Sequence, residues 1–514
     1  MSPLDRRTFL KGAAAGVGMA VTGRVAAASD FVNVALPVGP PPDRKVDHLV
    51  VLMMENRSVD HYLGWYGEET KGRPGRTGFN AFNNKEYPDL RTADATDTVR
   101  TEHWGTGSER EEFAGCRFQD PSHSWKTRDR VFGHRNPDDE VVGWLDPRTG
   151  NDDYCLSYYE ARDIPVTAYL VRRFAAFDHW HASLMGPTYP NRLYLHSAQS
   201  GGLKGNFFPF EVEDSPLGDG HGHPEWRTGY TWPTIWDVLD GAGVLWRYYY
   251  SNLPTIGLFG ADGIARSGHI SEFYADALAG ALPPVTFIDA YTVEPQGLAN
   301  DDHPHADIRL GQQFLADVVR SLALSPAWSS TALVITYDEW GGFWDHVTPG
   351  RIVGEPRARD DLEDDFSLLG WRVPGIVVSP WVDEGTVDHT VVDHTSVLRF
   401  IYENWGIPPS AQLHNVPSPV AIDNVDGRPG ARVALPSIGS VLTRESPLLE
   451  VDIDTLTYVA PPEARIRCEV REGTQQVVAD LFRAQPWLED MGWRTQFPFA
   501  DSFASALADE PVSG

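Results

Sequence analysis

Three cysteines in 514 residues, Cys116, Cys155 and Cys468, are too few and too dispersed for a disulfide framework or a thiolate metal site. One disulfide with a spare thiol stays open, and no pair is singled out. Positive charge is also scarce: 43 Lys and Arg stand against 72 Asp and Glu, for a formal charge of −29. Such a field repels phosphate backbones and anionic surfaces, which argues against a DNA or RNA partner. A phosphate ester is not excluded as substrate, because a bound cation inverts the local field. Beyond the N-terminus, no stretch approaches the ~20 apolar residues of a membrane span, so stable membrane insertion is not expected. Internal repeats are absent. So are a Gly-x-Ser-x-Gly elbow, a nucleotide-phosphate loop, a dinucleotide-binding glycine pattern and a His-Glu-x-x-His zinc motif.

What is present begins with Arg6-Arg7-Thr8-Phe9-Leu10-Lys11, a weakly apolar run from Gly12 to Val21, and Ala26-Ala27-Ala28. A twin-arginine pair before a short Ala/Gly-rich stretch and a small-residue cleavage site reads as a twin-arginine export signal. The expected partner is the twin-arginine translocation machinery, and the expected location is periplasm, cell wall or medium. Residues 1–28 are read as the signal and 29–45 as a Pro-rich linker.

Hydrophobic residues make up 41% and charged residues 22%, the balance of a soluble globular protein. Apolar runs of strand length recur at Val46 to Met54, Val285 to Ile288, Ala332 to Thr336 and Gly375 to Ser379. Runs without alternation suit parallel strands covered on both faces. Helices are predicted between them at Trp232 to Gly241, Ile308 to Leu324 and Thr395 to Trp405. The alternation predicts an α/β fold with a doubly wound sheet flanked by helices over 46–410. Residues from about 67 to 163 are polar and aperiodic and read as an insertion or cap. Residues 411–514 read as a small C-terminal extension, with a helix around Thr474 to Phe482.

Ligands of open α/β sheets collect at the carboxyl ends of the strands. The first strand ends in Glu55-Asn56-Arg57-Ser58, a carboxylate and an amide that offer oxygen to a hard cation. An ordinary helix start explains them as well. The run ending at Thr336 leads into Tyr337-Asp338-Glu339-Trp340-Gly341-Gly342-Phe343-Trp344-Asp345-His346. Adjacent acids there repel unless a cation lies between them, so this is the stronger metal candidate. The glycine pair permits a turn that returns Asp345 and His346 to the same place. In Gly186-Pro187-Thr188-Tyr189-Pro190-Asn191-Arg192, two prolines stiffen the chain around the Thr188 hydroxyl, and Asn191 or Arg192 offers donors to phosphoryl oxygens. Imidazoles at His123, His303 and His394 suit metal ligation or proton transfer.

The segments VDHLVVLMMENRSVDHYLG, GPTYPNRLYLHS, ITYDEWGGFWDHVTPG, WRVPGIVVSPW and DHTSVLRFIYENWG, in this order, resemble the bacterial phosphoesterase family of phospholipases C and acid phosphatases. The resemblance runs from about Val46 to Gly406. It implies an alkaline-phosphatase-like fold and one or more divalent metal ions, with calcium, magnesium, manganese and zinc all open. By position in the motifs, Glu55, Asn56, Asp338 and Glu339 become metal ligands, with Thr188 as nucleophile beside the cation. His123, His303 and His346 become groups that contact phosphate or assist the leaving group, supported by Asp345 and His394. The substrate implied is a small phosphate ester or a phospholipid head group.

A phospholipase C-type phosphodiesterase acting through a phosphothreonine on Thr188 is the preferred reading. An acid phosphatase with the same site is the first alternative, and a non-catalytic exported binder of phosphorylated ligands the second. A sulfatase fits poorly: Thr188, Pro190 and Arg192 have the spacing of that chemistry, with Thr where a modifiable Cys or Ser belongs.

Overall fold

A computed structural model describes residues 41–465, apart from 42, 74–76, 93–96, 207–229, 231, 253, 260–262, 264, 293–297, 353–365 and 414–431. The export signal and the helix expected around residues 474–482 therefore lie outside the described residues.

The core is an eight-stranded sheet. Its strands are β1 (His48–Met54), β2 (Ala175–Phe177), β3 (Trp246–Tyr250), β4 (Ser267–His269), β5 (Val285–Asp289), β6 (Thr331–Tyr337), β7 (Gly375–Val378) and β8 (Thr386–Asp388). They lie in the order β8-β2-β7-β6-β1-β5-β3-β4. The chain thus starts in the middle of the sheet and later fills both sides. β1 pairs in parallel with β5 (Leu49 opposite Val285) and with β6 (Leu49 opposite Ala332). The HLVVLMM sequence of β1 is buried from Leu49 onward, as a strand covered on both faces must be. One strand departs from the expected parallel pattern. β7 runs antiparallel to both β6 and β2, although its apolar GIVV run looks like the rest. Burial dictates that composition and direction does not.

Eight helices are used here: α1 (Val59–Thr70), α2 (Trp125–Phe132), α3 (Pro165–Arg173), α4 (Thr188–Ser197), α5 (Ile235–Gly241), α6 (Ile270–Leu278), α7 (Ile308–Ala323) and α8 (Thr395–Trp405). α5 begins at Ile235 rather than at Trp232 because Thr234 caps it, accepting from the Asp237 N–H while Asp237 accepts from the Thr234 N–H. α7 connects β5 to β6 across β1 and packs on α3 and α6. α8 stops at Gly406, whose φ of 62° closes the helix in the left-handed region. The aperiodic 67–163 stretch folds around aromatic side chains, with Tyr87 and Trp144 packing beside Trp340, Trp344 and Trp371. Among the described residues, no helix is long and apolar enough to cross a membrane.

Candidate active site at the carboxyl ends of the central strands

Two strand ends are tied to each other. The Asp338 N–H donates to the Met54 carbonyl (3.1 Å), and the Asn56 N–H donates to Asp338 Oδ1 (3.0 Å). Asn56 takes φ 59°, a left-handed conformation that Asn tolerates better than most residues. The turn after β6 depends on its glycines. Gly341 and Gly342 have φ of 63° and 72°, and a Cβ on them would stand 2.1 Å from the Asn56 carbonyl oxygen and 2.6 Å from the Pro121 backbone. Only bare backbone lets the segments carrying Asn56, Pro121 and Glu339 come this close.

Thr188 opens α4, where the helix end favours anions. The loop before it is held by Asn191, whose Oδ1 accepts from the Leu184 N–H (2.9 Å) and whose Nδ2 donates to the Gly186 and Pro187 carbonyls (2.9 and 3.2 Å). Asn191 is spent on backbone, so the structure makes it a holder of the loop, not the phosphoryl donor that its type suggested. One turn into α4, Arg192 is almost fully buried and donates to Glu55 Oε1 (2.9 Å) and Asp289 Oδ1 (3.3 Å), with its Nε 3.9 Å from Asp338 Oδ2. Its guanidinium lies among carboxylates, where the sequence had suggested phosphoryl oxygens. Thr188 is 5% exposed, and its hydroxyl is a hydrogen-bonding neighbour that favours the ionised Asp338 carboxylate.

The histidines divide into three settings. His123 and His303 stand together, their ring centroids 5.7 Å apart, and each offers a ligand atom within 4.8 Å of the other and of an Asp120 oxygen. His123 Nε2 lies 3.6 Å from Glu339 Oε1. His394 accepts from Trp180 at Nδ1 (3.3 Å) and donates through Nε2 to the Asp338 carbonyl (2.7 Å), which fixes the backbone behind that acid. His346 and Asp345 belong to a different cluster. His346 Nδ1 donates to Asp60 Oδ2 (2.5 Å), and Arg372 donates to both oxygens of Asp345 (3.0 and 3.1 Å).

Burial pushes Glu55 up to about 7 against the pull of Arg192, and pushes Asp338 up to about 6. Burial, and then the Asp338 charge, holds Glu339 well above the carboxylate range. Burial likewise raises Asp120 to about 7. Burial outweighs the charge of Arg192 at Glu55 and Asp338, so these acids lack enough positive charge. Geometry agrees: Asn56 Oδ1, Asp338 Oδ2, Glu339 Oε1 and Asp120 Oδ1 are buried without a hydrogen bond of ordinary geometry. Unpartnered oxygens on adjoining segments fit a divalent cation, whose charge would answer them together.

Three acids of this neighbourhood were missed in the sequence. Asp289 ends the β5 run just as Glu55 and Asp338 follow theirs, so strand-end position was a usable signal. Asp120 sits three residues before His123. Asp301, whose carbonyl accepts from the Glu55 N–H (2.7 Å) and whose Oδ2 is unpartnered, follows no apolar run but stands two residues before His303.

The model of the phosphoesterase family matches residues 46–408. The chain belongs to that family. It is similar to non-specific phospholipase C1 of Arabidopsis thaliana, 32% identical over 393 residues, which cover 72% of this chain and 67% of the plant protein. It is also similar to phospholipase C B of Mycobacterium tuberculosis, 30% identical over 444 residues, covering 78% and 81% respectively. A solved structure from Vibrio parahaemolyticus, of a protein in the alkaline phosphatase superfamily, aligns over 91% of this chain and 97% of its own at 11% identity and a TM-score of 0.31. That last likeness is too loose to bear on the site. As a phosphoesterase, the protein is a phosphoric ester hydrolase.

Proposed function

We propose that this phosphoesterase is an exported, metal-dependent phosphodiesterase of the phospholipase C type, with Thr188 as its nucleophile. The observation that carries this reading is the set of unpartnered oxygens, Asn56 Oδ1, Asp338 Oδ2 and Glu339 Oε1, on the segments beside the Thr188 hydroxyl. Glu55, Asn56, Asp338 and Glu339 would hold a divalent cation there, which would supply the charge that neutralises phosphoryl oxygens and acidifies the adjacent hydroxyl. The Thr188 oxygen attacks phosphorus in line while the bond from phosphorus to the alcohol oxygen breaks, and the threonine proton passes to the Asp338 carboxylate. The leaving alkoxide takes its proton from solvent water. Water then attacks the phosphothreonine and gives up a proton to solvent, the bond to Thr188 breaks, and the threonine oxygen takes its proton back from Asp338 as the phosphorylated head group leaves. Positioning and electrostatics supply most of the barrier lowering.

The diester preference draws on the two relatives, both named as phospholipases C. Export draws on the Arg6-Arg7 pair and the apolar stretch behind it. The test compares p-nitrophenyl phosphorylcholine with p-nitrophenyl phosphate, each with and without chelator. Chelator-sensitive hydrolysis of the diester, with little of the monoester, is expected. Turnover of the monoester alone makes the protein a phosphatase, and no turnover by metal-loaded protein makes it a binder. Replacing Arg6 and Arg7 by Lys should strand the protein in the cytoplasm.

A further inference from the structure

The stretch that the sequence sets apart as a C-terminal extension, residues 411–514, sends one side chain against the helix that carries Thr188. Arg432 is almost fully buried, with 3% exposure. Its Nη1 donates to the Phe366 carbonyl (2.9 Å) and its Nη2 to the Ser183 carbonyl. The guanidinium carbon stands 4.7 Å from the centre of the Tyr194 ring, on α4. The Arg432 N–H donates to the Ala198 carbonyl (2.8 Å), at the far end of the same helix. Both residues whose carbonyls are held are themselves buried, and no carboxylate among the described residues pairs with the guanidinium. A planar fork can grip two carbonyls in a fixed geometry, which a flexible ammonium cannot. Burying such a charge is costly, and an apolar side chain would fill the same space without that cost.

What the fork holds gives the contact its meaning. Ser183 belongs to the loop that delivers Thr188 to the start of α4. Three consecutive residues of that loop are tied to three different places. The Ala182 N–H donates to the Trp371 carbonyl (3.1 Å), and the Ala182 carbonyl accepts from the Gly370 N–H (2.9 Å). The Leu184 N–H is held by Asn191. Between these two anchors, the Ser183 carbonyl is held by Arg432. Trp125, Leu184, Tyr194 and Phe366 pack into one apolar cluster beside it, so the guanidinium sits where the loop, α4 and the Phe366 segment meet. Without the fork, two buried carbonyls lose their donor and the middle of the loop is free to rotate. Attack on phosphorus tolerates little of that, since a shift of about 1 Å caused far from the chemistry can cost about 100-fold.

We infer that Arg432 is a positioning residue for the hydrolysis, acting through the Ser183 carbonyl on the direction of the Thr188 hydroxyl. The extension is thereby part of the catalytic unit. The inference rests on Thr188 as the nucleophile, and the experiment separates the two. Full-length, metal-loaded protein is assayed with p-nitrophenyl phosphorylcholine. Arg432→Met should lower kcat by about 100-fold with KM nearly unchanged, and Arg432→Lys, which keeps one donor, should recover part of that loss. Arg399 is the control. It donates to the Val433 carbonyl (2.9 Å) and so anchors the same stretch without reaching the loop. Arg399→Met should lower the thermal midpoint and leave kcat unchanged. Equal losses of kcat in the Arg399 and Arg432 variants would make Arg432 ordinary packing and overturn the inference. So would an Arg432→Met protein with wild-type kcat, or with a loss confined to KM. If Thr188→Ala is inactive while Arg432→Met is fully active, the positioning role falls and the nucleophile stands; an active Thr188→Ala overturns both. Should Arg432→Met fail to fold, amide exchange in Arg432→Lys decides. Faster exchange at Leu184 and Gly186 than in the wild type is expected, and unaltered exchange overturns the inference.

Discussion

The same two sequence segments build two polar clusters of opposite character. Residues 55–61 and 338–346 contribute Glu55, Asn56, Asp338 and Glu339 to one, and Asp60, Asp345 and His346 to the other. Both bring potential metal ligands together: Asp120, His123 and His303 adjoin the first, while Asp60, Asp345 and His346 lie within 4.8 Å of one another in the second. In the second, every oxygen is answered. Arg372 spans Asp345 and Asp60, the His346 N–H and Nδ1 donate to Asp60 Oδ2, and the Phe82 N–H donates to Asp60 Oδ1. Burial alone would raise Asp60, yet His346 and Arg372 hold it below the usual range. The first cluster has Arg192 as the cation paired with its acids, and one oxygen each of Asn56, Asp338 and Glu339 stays orphaned. Closeness of acids does not make a site; the missing partner does. By that standard the paired cluster is a clamp joining the start of α1 to the loop after β6, and the unpaired one is where chemistry belongs.

The contrast can be broken by substitution. Thr188→Ala should lower kcat/KM for an activated diester by roughly a thousandfold or more while leaving the thermal midpoint nearly unchanged. A variant that keeps most of its activity would remove the nucleophile from the reading. Asp338→Asn should weaken metal binding by more than the roughly 10–100-fold that outer contacts cost, without destabilising the chelated protein. Isothermal titration and melting in chelator measure the two effects separately. Arg372→Met in the paired cluster should behave the other way, costing about 3–5 kcal/mol of stability by denaturant unfolding because it leaves buried acids uncompensated. Unchanged stability there would erase the distinction between the clusters.

A smaller effect lies in pH. Glu55 and Asp338 are raised from ordinary values of 4.5 and 3.8 to about 7 and about 6. The folded metal-free protein therefore binds more protons than the unfolded chain between those values. The contribution of these two acids to stability is fully present below about pH 4 and is lost as pH rises toward 7. Melting of chelated protein across pH 5 to 8 should show that fall, and saturating divalent ion should flatten or reverse it.

How much of this the sequence revealed follows from what each signal measures. Apolar runs report burial, so β1, β5, β6 and β7 were legible, and so was α8 over Thr395–Trp405. Direction is not encoded in burial, so the apolar run of β7 suggests a parallel strand where the structure has an antiparallel one. β3 (WRYYY), β4 (SGH) and β8 (TVD) present no uniform apolar run, and the apolar β2 (AAF) is only three residues long, too short to signal a strand. At the site, the motifs led to Glu55, Asn56, Thr188, Asp338 and Glu339, which the structure gathers around Asp338 and Arg192. Side-chain partners were beyond reach, because they depend on contacts between residues hundreds of positions apart. Hence Asn191 and Arg192 carried expectations that their neighbours redirect, and His346 was grouped with His123 although its partner is Asp60.

Arg192 has a consequence for how the molecule is assembled. A fixed guanidinium between Glu55 and Asp289 gives the acids a resident counter-charge before any ion arrives. The carboxyl ends of β1, β5 and β6 are thereby held in place with the proposed metal ligands already arranged. On that proposal, loading is a late event, governed by the ions the folded protein meets in its surroundings.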